Sequence, residues 1–451
     1  MGATGGAKRC TSLHEPLTRT QTVTDISDQD RNVTAMSGSA EPYGREGLPL
    51  DQARQRVLEA IRPLRGSDDV AVAAALGRVS TAAVLAHAAV PGFRASIMDG
   101  YALGQASRPA IGDSWTLRGH SLAGQPFQET LGCGEAIRIL TGASVPDGSD
   151  WVLPQELVRA SGSTITLTEQ VSDRPWIRAA DEECQRGEIL LPAGHRLGPA
   201  DLGRLAGCGI AELTVRRQAR IGLLISGDEL VPPGSDRPPG AIWESNGTLL
   251  EALLHALGQR VHLRRVVADQ PDVLRETLRE LAASCDVVVS TGGVSAGDSD
   301  WIRPLVDELG SVNFWKLFLR PGRPFAFGHL GDGVPFFGLP GNPVAAAITA
   351  LQLLWPALQQ LEGQKDPTLF PRLLVELADP LPRRPGRPEL ARARMETNEQ
   401  GTLLARVEGS QASSRIGSLL NADLLLEIPA DAGALEPGTR LWAQLIRQPL
   451  F

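Results

Sequence analysis

From Ala219 onward the chain repeats one unit: a short apolar run ending at a serine, glycine or carboxylate, then a stretch with apolar residues at helical spacing. ARIGLLISGDEL ends in Ser226-Gly227-Asp228-Glu229, and RVHLRRVVAD ends at Asp269. CDVVVSTGGVSAGDSDW runs from Val287–Val289 through Gly292-Gly293 to Asp298 and Asp300. SNGTLLEALLHALGQ, DVLRETLRELAA and IRPLVDELG read as helices, the second with Leu274, Leu278 and Leu281 on one face. Strands alternating with helices form βαβ units with right-handed crossovers, which predicts a doubly wound α/β domain on a parallel sheet.

Ligands on such sheets bind beyond the carboxyl ends of the strands. Three of these ends carry acids: Asp228/Glu229, Asp269 and Asp298/Asp300. The Ser290-Thr291-Gly292-Gly293 turn lets backbone N–H groups approach an anion, and the helix after it adds its positive dipole end. Acids beside an anion call for a divalent cation between them, and Mg²⁺ is typically held by one or two carboxylates plus phosphate oxygens. The stretch therefore points to Mg²⁺ with a phosphorylated ligand. Each piece has a plainer reading, since Gly-Gly after a strand is often only a turn and Asp before a helix only a cap. Unrelated turn residues have no reason, however, to gather acids at one rim.

NFWKLFLRPGRPFAFG then supplies Lys316, Arg320 and Arg323, with prolines holding the last two in a stiff turn; guanidinium forks suit oxoanions. FFGLPGNPVAAAITALQLLWPALQQL adds a strand, a Gly-Asn-Pro turn and a long helix from Pro343, expected to turn a second N-terminus toward the site.

The remaining chain frames this domain. Residues 1 to about 47 are polar and read as a disordered extension without a signal-peptide core. A helix is predicted from Asp51 to Gly66. Short apolar runs broken by Gly and Pro follow from Val90, with Asp99 and Thr141 in turns where their commoner role is to bond local backbone. Arg178 lies in a mixed-charge run of the kind found on solvated surfaces. After Pro371 five short strands predict a small all-β domain, to which Arg392, Arg394, Ser413 and Ser414 contribute polar groups.

Composition closes off several classes. The formal net charge of -8 offers no basic excess for nucleic acid. Cysteines at 10, 133, 184, 208 and 285 form no CxxC pair, which favours a reducing, cytoplasmic compartment without structural zinc. No stretch reads as a membrane span, and neither HExxH nor GxSxG occurs.

The ordered set MDGYA (98–102), RILTGA (138–143), PAGHRL (192–197), SGDEL (226–230), STGGVSAGDSDW (290–301), FWKLFLRPGRPFAFG (314–328) and GLPGNPVA (338–345) resembles the MoeA-type molybdopterin molybdenumtransferases, the family that includes the E domain of gephyrin. The resemblance covers roughly residues 48 to 448. It implies an elongated, multidomain α/β subunit in a homodimer. A split first domain would span 48–92 and 184–216, a β-rich insert 93–183, a MogA-like molybdopterin-binding α/β domain 217–368, and a small β-barrel 369–451.

The implied reaction is Mg²⁺-dependent insertion of molybdate into adenylylated molybdopterin with release of AMP. A molybdopterin adenylyltransferase would act upstream and apo-molybdoenzymes downstream, with no nucleic-acid or membrane partner. Residue by residue, the resemblance implies catalytic roles for Asp300, Glu229, Asp269 and Lys316. Metal ligation would fall to Asp300, Glu229 and Asp298. Substrate contacts would come from Asp99, Thr141, Arg178, Ser290, Gly292, Gly293, Ser295, Arg320, Arg323, Pro340, Pro343, Arg394, Ser413 and Ser414. The chain departs from the family where KPGKP becomes RPGRP, where Ala345 replaces the usual Ser, and at Trp243-Glu244. Rival readings are an adenylyltransferase, whose α/β domain is similar, and a non-catalytic, peptide-binding scaffold like gephyrin.

Overall fold

The computed structural model describes residues 47–293, 301–407 and 409–447. Helix α1 (Leu50–Ala60) buries Ala53 and Val57. It ends before the predicted Gly66, because Ile61 is already extended and Arg62 precedes Pro63, whose ring disfavours helical backbone at the residue before it.

Strand β1 (Ser67–Ala71) pairs with β12 (Glu212–Arg216), and β2 (Val84–Leu85) with β11 (Ile189–Leu191), so segments on either side of a long insert fold together. Helix α2 (Pro199–Gly207) closes their core with Leu205 against Val72, Cys184, Leu197 and Val215. The insert starts and ends at β3 (Ala95–Ser96) paired with β10 (Ile177–Arg178). Its main sheet holds β4 (Gly100–Leu103), β5 (Ser114–Ser121), β6 (Glu135–Ile139), β7 (Trp151–Pro154), β8 (Val158–Ser161) and β9 (Thr164–Leu167), in the order β7-β4-β6-β5-β9-β8.

The α/β domain follows as β13 (Ile221–Ser226), β14 (Leu230–Val231), β15 (Ile242–Trp243), α3 (Asn246–Ala256), β16 (Val261–Val267), α4 (Pro271–Ser284), β17 (Val287–Thr291) and α5 (Ile302–Leu309). It continues with β18 (Gly310–Trp315), β19 (Ala326–Leu330), β20 (Val334–Leu339), α6 (Pro343–Thr349) and α7 (Trp355–Leu361). The main sheet runs β16-β13-β17-β20-β19-β18, with its first four strands parallel. The expected parallel pairing holds for these four strands and stops at the far edge, where β19 and β18 are antiparallel. A parallel crossover needs about a dozen residues or more, and only Gly331, Asp332 and Gly333 separate β19 from β20. Strands β13 and β17 are apolar on both faces because helices cover both. Ile225 and Val289 join the core that includes Leu250 of α3 and Val344 of α6, while Leu224 and Val288 join Leu278 of α4 and Leu305 of α5.

The expectation that no stretch is apolar and long enough for a membrane span is also corrected. Pro343–Leu361 passes on length and composition, but 89% of it is buried inside the protein, so it is a core helix. Its middle, Ala350–Leu354, widens into a π turn just before Pro356. Proline has no N–H for the Gln352 carbonyl, and Arg54 of α1 bonds that carbonyl instead (Nε to O, 3.1 Å). The last domain is a closed barrel of β21 (Arg372–Leu377), β23 (Leu403–Arg406), β22 (Glu389–Thr397), β24 (Leu424–Ile428) and β25 (Arg440–Leu445) around Val375, Ala391, Leu424, Leu426 and Ala443.

One ion-pair cluster at the base of the α/β domain gives a test of the packing. Burial alone would raise the Asp286 carboxyl, but hydrogen bonds from Arg217 and Arg220 reverse this and hold it well below the usual range. A carboxylate lowered on folding contributes stability above its unfolded value, near 3.8, and loses it as pH falls through the folded one. Asp286→Asn is expected to cost about 2 kcal/mol at neutral pH, because both arginines reach solvent. The variant should also flatten the acid limb of a plot of Tm against pH. An unchanged acid limb would assign that limb to other carboxylates.

Candidate active site

Three strand ends meet at the carboxyl rim of the sheet. After β13 the chain turns through Gly227, where a Cβ would stand 2.8 Å from Glu229 Oε2, so Glu229 folds back over the turn into space that the missing side chain leaves. The Asp228 carboxylate accepts the N–H of Asp269 at 2.9 Å, which ties the β13 and β16 ends together. Burial pushes the Asp269 carboxyl above its ordinary value; the Ser226 hydroxyl opposes this, and the charges of Asp228 and Glu229 add to it. Asp269 Oδ1, Ser226 Oγ and Ser290 Oγ are buried without a well-formed hydrogen bond. Orphan polar atoms of this kind are rare in native interiors and call for a partner.

Beyond β17, Gly292 has φ +92° and a Cβ there would lie 2.4 Å from the Ser226 carbonyl oxygen; at Gly293 it would lie 2.7 Å from Ile302. Close packing at Gly292 and the left-handed backbone at both positions thus call for the glycine pair, which is also suited to a ligand. Thr291 Oγ1 donates to the Pro340 carbonyl (3.0 Å) and accepts from Asn246 Nδ2 (2.9 Å), which also donates to the Gly341 carbonyl (2.8 Å). Sequence reasoning passed over Asn246, whose only signal was its place at the start of α3. Glu244, one residue before the Ser245 N-cap of α3, accepts the Gly247 N–H at 2.6 Å and pairs with Arg264. Pro343 opens α6 as expected, but the next N–H, that of Val344, is taken by the Ser413 carbonyl at 3.0 Å. This helix N-terminus is thereby joined to the barrel. Ser295, Asp298 and Asp300 lie outside the described residues. Among the described residues no group of three or more His, Cys, Asp or Glu is arranged to hold a metal ion.

The basic set sits where the α/β domain meets the barrel. Lys316 has φ +73°, and its N–H and carbonyl bond Phe325 O and Leu48 N–H. Its side chain is half-buried, with no ion pair to a described residue. The RPGRP turn docks on the start of β22: Arg320 N–H bonds Pro388 O (2.9 Å), Leu390 N–H bonds Arg320 O (2.8 Å), and Arg387 bonds Leu319 O (3.1 Å). Arg320 and Arg323 are exposed. Arg392 is 2% exposed; it reaches Ser418 Oγ and the Ala412 carbonyl, while its Nη1 has no partner. Arg394 is exposed and lines, with Arg392, Arg415, Ser410 and Ser418, a cavity of about 230 Å³.

Asp99, Thr141 and Arg178 stand apart from these groups. Asp99 Oδ1 accepts both the N–H (2.8 Å) and the hydroxyl (2.7 Å) of Thr141, which holds its carboxyl below the usual value. Arg178 pairs with Glu182 at 2.7 Å.

A doubly wound domain carrying a β insert and a barrel, with acids at the sheet rim and arginines at the barrel junction, defines a class of multidomain α/β proteins. Three family models match in order: the MoeA N-terminal region (domains I and II) over 48–209, the probable molybdopterin binding domain over 222–360, and the MoeA C-terminal region (domain IV) over 375–445. The chain belongs to the MoeA family. The molybdopterin molybdenumtransferase of Haemophilus influenzae is 34% identical over 87% of this chain and 96% of its own length. Gephyrin of Dictyostelium discoideum is 30% identical over 88% of this chain, which spans 62% of that protein. The crystal structure of the MoeA protein of Pyrococcus horikoshii superposes with a TM-score of 0.74 at 26% identity, covering 88% of this chain and 99% of that one.

Proposed function

We propose that this protein is a molybdopterin molybdenumtransferase of molybdenum cofactor biosynthesis. It takes adenylylated molybdopterin and molybdate, inserts the metal at the dithiolene and releases AMP. The observation that carries this reading is the convergence of Asp228, Glu229 and Asp269 on one sheet rim, with the buried, unpartnered Asp269 Oδ1 among them. Hard oxygen donors of this kind fit Mg²⁺, which Glu229 and Asp269 would hold with Asp298 and Asp300. When bound, Mg²⁺ neutralises phosphate charge and polarises the phosphoryl group. The buried Ser226 and Ser290 hydroxyls are available to orient the phosphate side of the substrate, and Lys316, Arg320 and Arg323 to bind molybdate. Arginine in place of lysine offers that anion a planar fork rather than a point charge.

The same reading makes the protein a cytoplasmic homodimer in which Asp99, Thr141 and Arg178 reach the partner subunit's site. It works between an adenylyltransferase and the apo-molybdoenzymes. A groove of about 570 Å³ lined by Phe318, Leu319, Leu351, Phe370 and Trp442 is what favours the peptide-binding alternative, which gives the rim acids no role.

The deciding experiment measures AMP release from adenylylated molybdopterin by the purified protein with Mg²⁺, with and without molybdate. Molybdate-dependent release, with product that reconstitutes an apo-molybdoenzyme, is expected. A folded protein that releases no AMP under either condition would sink the insertase reading.

A further inference from the structure

Where the RPGRP turn meets β22, Arg320, Arg383, Arg387 and Arg392 gather around one buried carboxylate, Glu389. Glu389 is 6% exposed. Its Oε1 lies 3.7 Å from Arg320 Nε and its Oε2 lies 3.8 Å from Arg383 Nε. Both distances are ion-pair contacts too long for hydrogen bonds, which for charged partners run near 2.7–2.9 Å. Glu389 therefore offsets charge without saturating any one arginine. The cluster stays under-neutralised: burial and the neighbouring arginines hold Arg387 below its usual value, with Glu389 the acid that opposes them. Arg383 Nε and Arg392 Nη1 remain buried without hydrogen-bond partners.

The backbone reinforces the arrangement. Arg320 and Glu389 face one another in an isolated parallel bridge, so the carboxylate at the start of β22 is held against the RPGRP turn. A buried carboxylate beside an anion site repels the anion, and a merely structural residue would have no cause to be charged there. Its charge has a use in the ligand-free chain, where it restrains cations that otherwise repel one another.

We propose that Glu389 is the positioning residue and built-in counter-ion of the oxoanion site. It holds Arg320 and screens the cluster in the free enzyme, and an incoming tetrahedral dianion takes over that role. The inference rests on the assignment of Arg320 and Arg323 to the oxoanion and adds the residue that sets their affinity.

The test is calorimetric titration of the purified wild type, Glu389→Gln and Glu389→Asp with molybdate and with sulfate, at fixed ionic strength and without pterin substrate. Removing the negative charge should tighten both dianions by about fivefold or more. Glu389→Asp, which keeps the charge, should stay near wild type. In chloride buffer the Tm of Glu389→Gln should fall, and sulfate should restore it. In turnover, KM for molybdate and kcat should fall together, because binding improves while Arg320 loses its restraint. Unchanged or weaker dianion binding by Glu389→Gln overturns the proposal, as does a variant that stays unfolded even in sulfate. Because the titration needs no adenylylated substrate, tightening without AMP release would sustain this inference while removing the insertase reading.

Discussion

Asp269→Ala is expected to lower molybdate-dependent AMP release by about 10²–10³-fold, a loss of about 3–4 kcal/mol of transition-state stabilisation. The carboxyl sits at a rim where Asp228 fixes its backbone and burial leaves Oδ1 without a well-formed hydrogen bond, so its removal chiefly takes an oxygen donor from the cation. The pH profile supplies a second readout. Burial and the charges of Asp228 and Glu229 raise the Asp269 carboxyl, so the ionised form that binds a cation is lost at a higher pH than for an ordinary aspartate. The wild-type rate should therefore decline on acidification before free carboxylates titrate, and excess Mg²⁺ should move that decline to lower pH. An Asp269→Ala enzyme with wild-type rate and Mg²⁺ dependence would remove Asp269 from the metal site.

Glu362→Ala is expected to be the most destabilising single change, by about 3–5 kcal/mol. Glu362 follows α7 and is 3% exposed. Its carboxylate accepts from Arg196 Nη2 and Gln259 Nε2, both at 2.9 Å, and from the Ala219 N–H at 3.1 Å. One side chain thus joins the split domain, the entrance to β13 and the approach to β16. Alanine would leave the buried Gln259 amide and the Ala219 N–H unpaired and take the half-buried Arg196 guanidinium's carboxylate from it. Thermal unfolding monitored by far-UV circular dichroism would show the loss; a Tm within a degree or two of wild type would mean that water replaces the carboxylate.

Much of the α/β domain was legible because its signals are local. Val287–Val289 has no polar face since helices cover both sides of β17, and Pro343 marks the start of α6 by its own ring geometry. The barrel strands were visible for the same reason, as apolar runs between polar turns. Other features were beyond local reading. The β19–β20 reversal depends on how little chain separates two strands, and the Val344 N–H is taken by a backbone carbonyl whose residue type is irrelevant. Asn246 looked like an ordinary helix start until Thr291 and Gly341 were brought to it by the sheet.

The sequence by itself determined the alternation of the main α/β strands and helices, the acids at three strand ends and the basic RPGRP turn, because backbone preference and apolar periodicity are carried by neighbouring residues. Only the tertiary structure decided which charges meet. Glu389 lies far along the chain from Arg320, and Glu362 farther still from Arg196, yet each pair is made by strands and helices packing across domains. Electrostatic energy depends on distance through space and on burial, and neither is written in sequence separation.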